Sequence, residues 1–287
     1  MKKLNNKKVV IWAANGLGDI TMIFPIINYF KREGYYVTLI GIHKRYLNFL
    51  EAWNMIDDYI IFEYKSNQSK LFWAKERVKL IRKVKLKAPD IMIIANKQSL
   101  FNHKAFKHVF GVNKYAFVKN YTVTNQSNIN NMILGRLFNY KVKEKDYYYC
   151  NKLINSLKRS KLVMEDINYI CINPFSKKSN TLIKPKYFMS LLNPNKTYFV
   201  IGSEDNKMSN YIRNNVYNRL SNNFYKSLKI LYCGKYLITG DGGVMHFNLA
   251  LGKKTVSYWK ESRPRPQQIL RNTKLSKEII LDNKHFQ

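Results

Sequence analysis

The chain has 287 residues, 46% of them hydrophobic, with 50 Lys and Arg against 18 Asp and Glu and a formal net charge of +32. That length and apolar content suit two modest globular domains and exclude a disordered chain, and no apolar run approaches the length that spans a bilayer. So large a positive charge needs an anionic counterpart, whether nucleic acid, membrane surface or phosphorylated substrate; a Lys, Asn, Ile and Tyr richness of the AT-rich-genome kind leaves the scarcity of acids unexplained.

The first lysines precede only a short apolar segment that runs into Asn15-Gly16, so residues 8–14 read as a first strand and not as a signal peptide. Asn15-Gly16-Leu17-Gly18-Asp19 is a turn, and residues 20–32 carry Ile23, Ile26, Ile27 and Phe30 at helical spacing. Gly34 stops that helix and 36–42 is strand two, which completes a βαβ unit with parallel strands. The turn lacks the third glycine of a dinucleotide fingerprint, and no acid follows strand two for a ribose. Asp19 stands at the carboxyl edge of strand one, where it either caps the helix or takes a proton from an attacking hydroxyl.

The alternation continues with a helix over 46–53, a strand over 58–62 and a long helix over 68–87. Leu71, Ala74, Val78 and Ile81 are expected on the buried face of that long helix. Its other faces carry Lys70, Lys75, Arg77, Lys79, Arg82, Lys83, Lys85 and Lys87 against Glu76 alone. This basic surface is either an ordinary solvated face or one that adsorbs to an anionic leaflet, each cation adding about 1 kcal/mol. A strand over 90–95, a helix over 101–110, a strand over 115–118 and a helix over 129–138 follow, then a charged and aromatic segment over 141–149, whose Tyr147-Tyr148-Tyr149 either forms a half-buried strand or stacks on sugar rings, and a linker near 162–166.

The second half restarts with a strand over 169–173 and Pro174-Phe175-Ser176-Lys177-Lys178. Lys184-Pro185 opens a helix, 198–201 is a strand ending in Gly202-Ser203-Glu204, and 208–220 reads as helical. Leu237-Ile238-Thr239 is a short strand, Gly240-Asp241-Gly242-Gly243 a tight turn, 244–251 a helix stopped by Gly252, and 255–258 the next strand. The glycine-flanked amides of this turn lie at a helix N-terminus and suit a diphosphate. Asp241 either accepts from ribose hydroxyls or caps the helix, and His246 lies in its first turn, at the same mouth or on the helix surface. Cys150, Cys171 and Cys233 are far apart without metal-ligand spacing, which indicates a reduced, cytosolic protein with no zinc site.

Asp241-Gly242-Gly243-Val244-Met245-His246, followed by Ala250, Gly252 and Thr255, resembles the nucleotide-binding signature of the heptosyltransferases (glycosyltransferase family nine), D-S/T-G-x-x-H-x-x-A-A-x-G-x-P-T/V. It departs at Gly242, where the family has a hydroxyl, and at Lys254, where it has proline. Gly18-Asp19-Ile20-Thr21-Met22-Ile23-Phe24-Pro25 resembles the family's N-terminal G-D-hydrophobic-x-x-x-x-P signature, and Pro89-Asp90 through Gln98 resembles its P-D-h-h-h-D-h-Q segment without the second acid. The resemblance covers most of the chain and implies the GT-B fold, two α/β Rossmann-like lobes with parallel sheets facing across a cleft. It implies Asp19 as general base for the acceptor hydroxyl. For the nucleotide sugar it implies Ser176, a lysine (Lys184, with Lys177 and Lys178 as alternatives), Glu204, Asp241, the Gly242, Gly243 and Val244 amides, and His246.

The lobes are expected at 1–163 for the acceptor and 164–262 for the nucleotide sugar, with 263–287, including a helix over 267–274, crossing back to the first lobe. The expected function is inverting, metal-independent transfer of a sugar, heptose from ADP-heptose by family likeness, to a lipopolysaccharide-core or related bacterial surface glycan. No cofactor is expected beyond the donor, itself expected to be ADP-linked, and no metal. The acceptor would be lipid-linked or phosphorylated, and the protein cytoplasmic, with peripheral contact at the anionic inner face of the inner membrane. A basic nucleic-acid-binding protein is the alternative, disfavoured by cations spread along the chain without a recognised motif; a GT-B relative that binds nucleotide without turnover is another.

Overall fold

The computed structural model describes residues 7–13, 16–62, 69–95, 114–116, 126–160, 168–175, 182–204, 209–211, 213–261 and 274–287. They belong to two compact units, Met1–Tyr147 and Tyr148–Gln287.

The first unit is wound around β1 (Lys8–Trp12), whose Val-Val-Ile-Trp run is wholly buried, as a parallel strand covered on both faces requires. β1 lies between β2 (Tyr36–Gly41) and β4 (Ile91–Ile94), with Val9 opposite Val37 on one side and Ile91 on the other. β3 (Asp58–Ile61) and β5 (Lys114–Ala116) complete a parallel sheet of order β3-β2-β1-β4-β5. The order reverses between β1 and β4, and in open α/β sheets such a switch point is where ligands bind.

The expected single helix over 20–32 is two helices, α1 (Leu17–Met22) and α2 (Phe24–Arg32). Pro25 has no N–H to reach the Thr21 carbonyl, and its ring crowds that oxygen. The chain therefore turns at Ile23, and buried Asn130, on α5 (Gln126–Phe138), donates to the carbonyl of Met22 at 2.8 Å. Gly34 ends α2 at φ 79°, and Tyr35 N–H reaches the Phe30 carbonyl at 3.0 Å while Gly34 N–H reaches Lys31 at 3.2 Å. These two bonds close the helix with a left-handed residue that only glycine adopts freely.

α3 (Lys44–Ala52) follows β2, and α4 (Lys70–Lys87) precedes β4. The expected inner face of α4 is wrong: Leu71 is 66% exposed and Val78 47%. Leu80 and Val84 enter the core instead, against Trp12, Ile40, Phe62 and Met92, with Ile81 at its edge. The helix carries apolar residues on two arcs. Lys87 pairs with Asp58 at the start of β3, on the side that turns Leu80 and Val84 inward. No strand forms over 147–149; the segment is a 3-10 turn at Glu144–Tyr147. Buried Asp146 holds it, accepting from Arg32 Nη1 at 2.9 Å, the Tyr140 hydroxyl at 2.6 Å and Lys143 N–H at 2.8 Å.

Among the described residues, the second unit repeats the plan with one more strand. β6 (Tyr169–Asn173), β7 (Thr197–Val200), β8 (Val216–Asn218), β9 (Leu237–Thr239), β10 (Thr255–Lys260) and β11 (Ser276–Leu281) form a parallel sheet in the order β11-β10-β9-β6-β7-β8. Counted from β6, this is the 3-2-1-4-5-6 order of doubly wound dinucleotide folds, with its switch point between β6 and β9. α6 (Asn151–Ser160) packs on α8 (Phe224–Cys233), where Ser156 Oγ and the Tyr225 hydroxyl are 2.7 Å apart. The division into units thus falls after Tyr147, ahead of α6, where the sequence placed it at 163; the expected linker over 162–166 lies outside the described residues.

The C-terminal segment departs most from expectation. Residues 276–281 do not return to the first lobe; they form β11 on the free edge of β10, and Phe286 bridges Ile183 within the same unit. The edge of β10 has backbone groups to pair, and β11 supplies them. Residues 267–273 of the expected terminal helix, like the expected helix over 101–110, lie outside the described residues. The expected helix over 208–220 is a 3-10 turn at Ser209–Tyr211 followed by β8, since Asn214-Asn215 favour a turn and Val216-Tyr217 a strand beside β7. The next segment holds α8, capped by Asn223 Oδ1, which accepts from Lys226 N–H at 3.1 Å.

Candidate functional site

The carboxyl ends of β7, β6 and β9, three adjacent strands, carry the loops of Glu204, Phe175 and Asp241. A chain of buried polar side chains holds these ends together. Asn173 Nδ2 donates to the Ile201 carbonyl at 2.5 Å, tying β6 to β7. The Thr239 hydroxyl is shared between the carbonyls of Asn173, at 3.2 Å, and Gly240, at 2.9 Å, tying β9 to β6. Neither residue was among the sequence candidates. Their signal is a polar residue closing an otherwise apolar buried strand, in Tyr-Ile-Cys-Ile-Asn and Leu-Ile-Thr.

α9 (Gly243–Ala250) starts at this rim. Its N-cap is Gly242, at φ −170° and ψ 170°, an extended conformation open to any residue. With no side chain at the cap, Gly243 and Val244 present first-turn amides that no helix can satisfy internally. A Cβ built on Gly242 would lie 3.8 Å from the Phe175 carbonyl oxygen, so the β6 and β9 loops are neighbours with room for a small side chain between them. Asp241, half-buried, immediately precedes the cap. The far end of α9 is closed by Gly252 at φ 72°, with Lys253 N–H on the Asn248 carbonyl at 3.1 Å. Asn248 Nδ2 also donates to Lys254 O and Thr255 Oγ1, both at 2.9 Å, which fastens α9 to β10.

His246 is buried, 7% exposed, and its Nδ1 has no hydrogen-bond partner among the described residues. Burial holds its pKa down at about 4, so the ring is neutral at pH 7. A buried ring nitrogen without a partner is costly unless a ligand or water supplies one. Glu204 is exposed and accepts from Asn222 Nδ2 at 3.1 Å and Asn222 N–H at 3.4 Å. Asn222 in turn accepts from the Ser203 hydroxyl at 2.8 Å, so the loop after β7 is braced against the residues that lead into α8.

Lys184 is exposed at the N-cap of α7 (Pro185–Ser190), and its N–H donates to the His285 carbonyl at 2.9 Å, beside the C-terminal tail. Ser176, with the alternatives Lys177 and Lys178, lies outside the described residues. A depression of about 570 Å³ lined by Ser190, Leu192 and Arg213 sits at the amino ends of β7 and β8 and is remote from these loops.

In the first unit, Asp19 is the third residue of α1, on the segment that follows β1 at the switch point. Its Oδ2 accepts from Gly16 N–H at 2.8 Å, so the carboxylate caps its own helix. α1 is fixed to α3 by Thr21, whose hydroxyl lies 3.0 Å from the Tyr46 hydroxyl.

No protein-family model matches the chain, and no curated protein matches it. Solved structures do match its fold. The glycosyl transferase family 9 protein of Veillonella parvula superposes with a TM-score of 0.68 at 14% identity, over 96% of this chain and 87% of that one. The E. coli heptosyltransferase WaaC, solved with ADP-2-deoxy-2-fluoro heptose, gives 0.66 at 11%, over 95% and 92%. The UDP-GlcNAc 2-epimerase of Methanocaldococcus jannaschii gives 0.54 at 9%, over 96% and 89%. The two-unit α/β architecture expected from the sequence is the one these proteins share.

Proposed function

We propose that the chain is a glycosyltransferase that takes its sugar from a nucleoside diphosphate. The observation that carries this reading is the uncapped N-terminus of α9 at the β6/β9 switch point, beside the braced Glu204 loop. The Gly243 and Val244 amides and the helix dipole receive the diphosphate. Asp241 and Glu204 suit ribose hydroxyls, and neutral His246 offers a nitrogen that lacks a partner among the described residues. Lys184, or a lysine of the loop after β6, adds positive charge. Asp19 removes the proton of the acceptor hydroxyl as it attacks the anomeric carbon, and the nucleoside diphosphate departs with inversion. Backbone dipoles and lysine stabilise the leaving group in place of a metal ion. The heptosyltransferase-like signatures around Asp19 and Asp241 favour ADP-heptose as donor and a lipopolysaccharide-core or related glycan, lipid-linked or phosphorylated, as acceptor.

The fold likeness to a UDP-GlcNAc 2-epimerase supports a second reading, in which a nucleotide sugar is altered without transfer. Acceptor-dependent release of free nucleotide separates the two, because only transfer consumes an acceptor hydroxyl. The binding step is tested by thermal shift with ADP, UDP, GDP and CMP, beside an Asp241→Ala control. A shift selective for ADP and lost in the variant supports the heptosyl donor; one selective for UDP or GDP keeps the transferase and excludes that donor. No shift with any of them, beside salt-sensitive RNA or DNA binding, overturns the reading.

A further inference from the structure

α4 turns to solvent the face that amphipathic helices hide. Leu71, Val78 and Leu86 are 66%, 47% and 83% exposed, while Leu80 and Val84 are buried on the opposite side. At 3.6 residues per turn, Leu71, Val78 and Arg82 fall within about 40° of one another, and the stripe from Leu71 to Leu86 is roughly 22 Å long. Lys75, Lys79, Arg82 and Lys85, all exposed, are interleaved with it. The one acid of the helix, Glu76, is buried and paired with Lys79 at 2.6 Å. The exposed face therefore presents apolar and cationic side chains and no anionic one. No helix among the described residues is long and apolar enough to cross a membrane.

We infer that α4 is an interfacial helix that lays this face on an anionic bilayer. Leucine and valine enter the boundary between headgroups and acyl chains, and lysine and arginine stems reach out to lipid phosphates. The chemistry favours lipid over the other occupants. A nucleic acid would use the cations but leave Leu71 and Leu86 in water. A second copy of this chain would set like charge against like, in a molecule of net charge +32. Bilayer contact by α4 does not depend on what the second unit binds, so the two readings fail separately.

The test is co-sedimentation of the full chain with phosphatidylcholine vesicles, with and without phosphatidylglycerol, at low and high salt. The expected result is binding only to the anionic vesicles, weakened by salt. Each cation removed, as in Lys75→Gln or Arg82→Gln, lowers partitioning about fivefold. The double variant Leu71→Gln/Leu86→Gln lowers it about tenfold or more with the charge unchanged. These positions are exposed, so unchanged circular dichroism and thermal melts are expected to show that the variants fold. Failure of the wild-type chain to bind anionic vesicles, or equal binding by the leucine variant, overturns the inference. So does self-association abolished by the same variants, or RNA binding that needs the cations but not the leucines.

Discussion

The two units share one winding scheme and differ in what covers the helix that starts at each switch point. In the first, the helix after the central strand is short, breaks at Ile23, and has its N-terminus covered by the carboxylate of Asp19. In the second, the helix after β9 is buried along most of its length and begins at a glycine with no side chain to cover its amides. One unit thus places a carboxylate against its own helix start, and the other leaves first-turn amides, next to Asp241, with no side chain at the cap. Topology fixes where a ligand would lie; the residue at each helix start fixes whether a side chain covers the helix amides there.

Removing the anionic group has the largest expected effect. Asp19→Asn keeps an oxygen to accept from Gly16 N–H, so the fold persists, while sugar transfer falls about 10²- to 10⁴-fold. Paired turnover assays and nucleotide titrations check this: turnover collapses and nucleotide affinity holds. An equal loss of both would mean that Asp19 serves structure alone.

The second unit also carries a stability that depends on pH through one buried histidine. His246 titrates near its ordinary 6.5 when unfolded and near 4 when folded. The unfolded chain therefore binds the extra proton first as pH drops. The stability that neutral His246 provides is complete above about pH 6.5 and is lost as pH falls towards 4, roughly 3 kcal/mol in all. Melting curves of the wild-type chain and His246→Gln across that window give the difference; parallel pH profiles would contradict it.

A smaller pair of changes separates the regions directly. Asn130→Ala and Asn173→Ala each strip a buried carbonyl of its partner, at Met22 and Ile201 respectively, and each costs about 1–3 kcal/mol. Both lower the melting temperature. Only Asn173→Ala, on the rim of the second sheet, also weakens nucleotide binding. The smallest effect is that of Gly242→Ser. The extended φ and the space beside Phe175 admit the side chain, and a serine N-cap adds a few tenths of a kcal/mol. A fall in melting temperature would show that the cap is tighter than its geometry indicates.

What the sequence discloses follows the same physics. Buried parallel strands such as β1 and β6 are continuous apolar runs, and Gly34 and Gly252 are legible helix stops because their backbones need the left-handed region. A glycine-rich turn between a strand and a helix is by itself ordinary, and Asp241 and Gly243 stand out through the likeness of the whole stretch to a nucleotide-binding signature. The orientation of α4 is not legible, since Leu71-Val78 and Leu80-Val84 are equally apolar arcs and only the packing of β1 and β3 chooses between them. β8 and β11 are invisible for a related reason: short edge strands of mixed polarity acquire their identity from the strand beside them. Asn173 and Asn130 escape notice because their roles depend on carbonyls distant in the chain.

The central claim is that the start of α9 holds a nucleoside diphosphate. Hydrogen–deuterium exchange of the full chain, with and without saturating ADP, tests it most directly. The account predicts slowed exchange in peptides covering 240–246 and 202–204, with the 190–195 loop at the other rim of the sheet unchanged. Protection centred on that other rim, or none at 240–246 while ADP is bound, would contradict it.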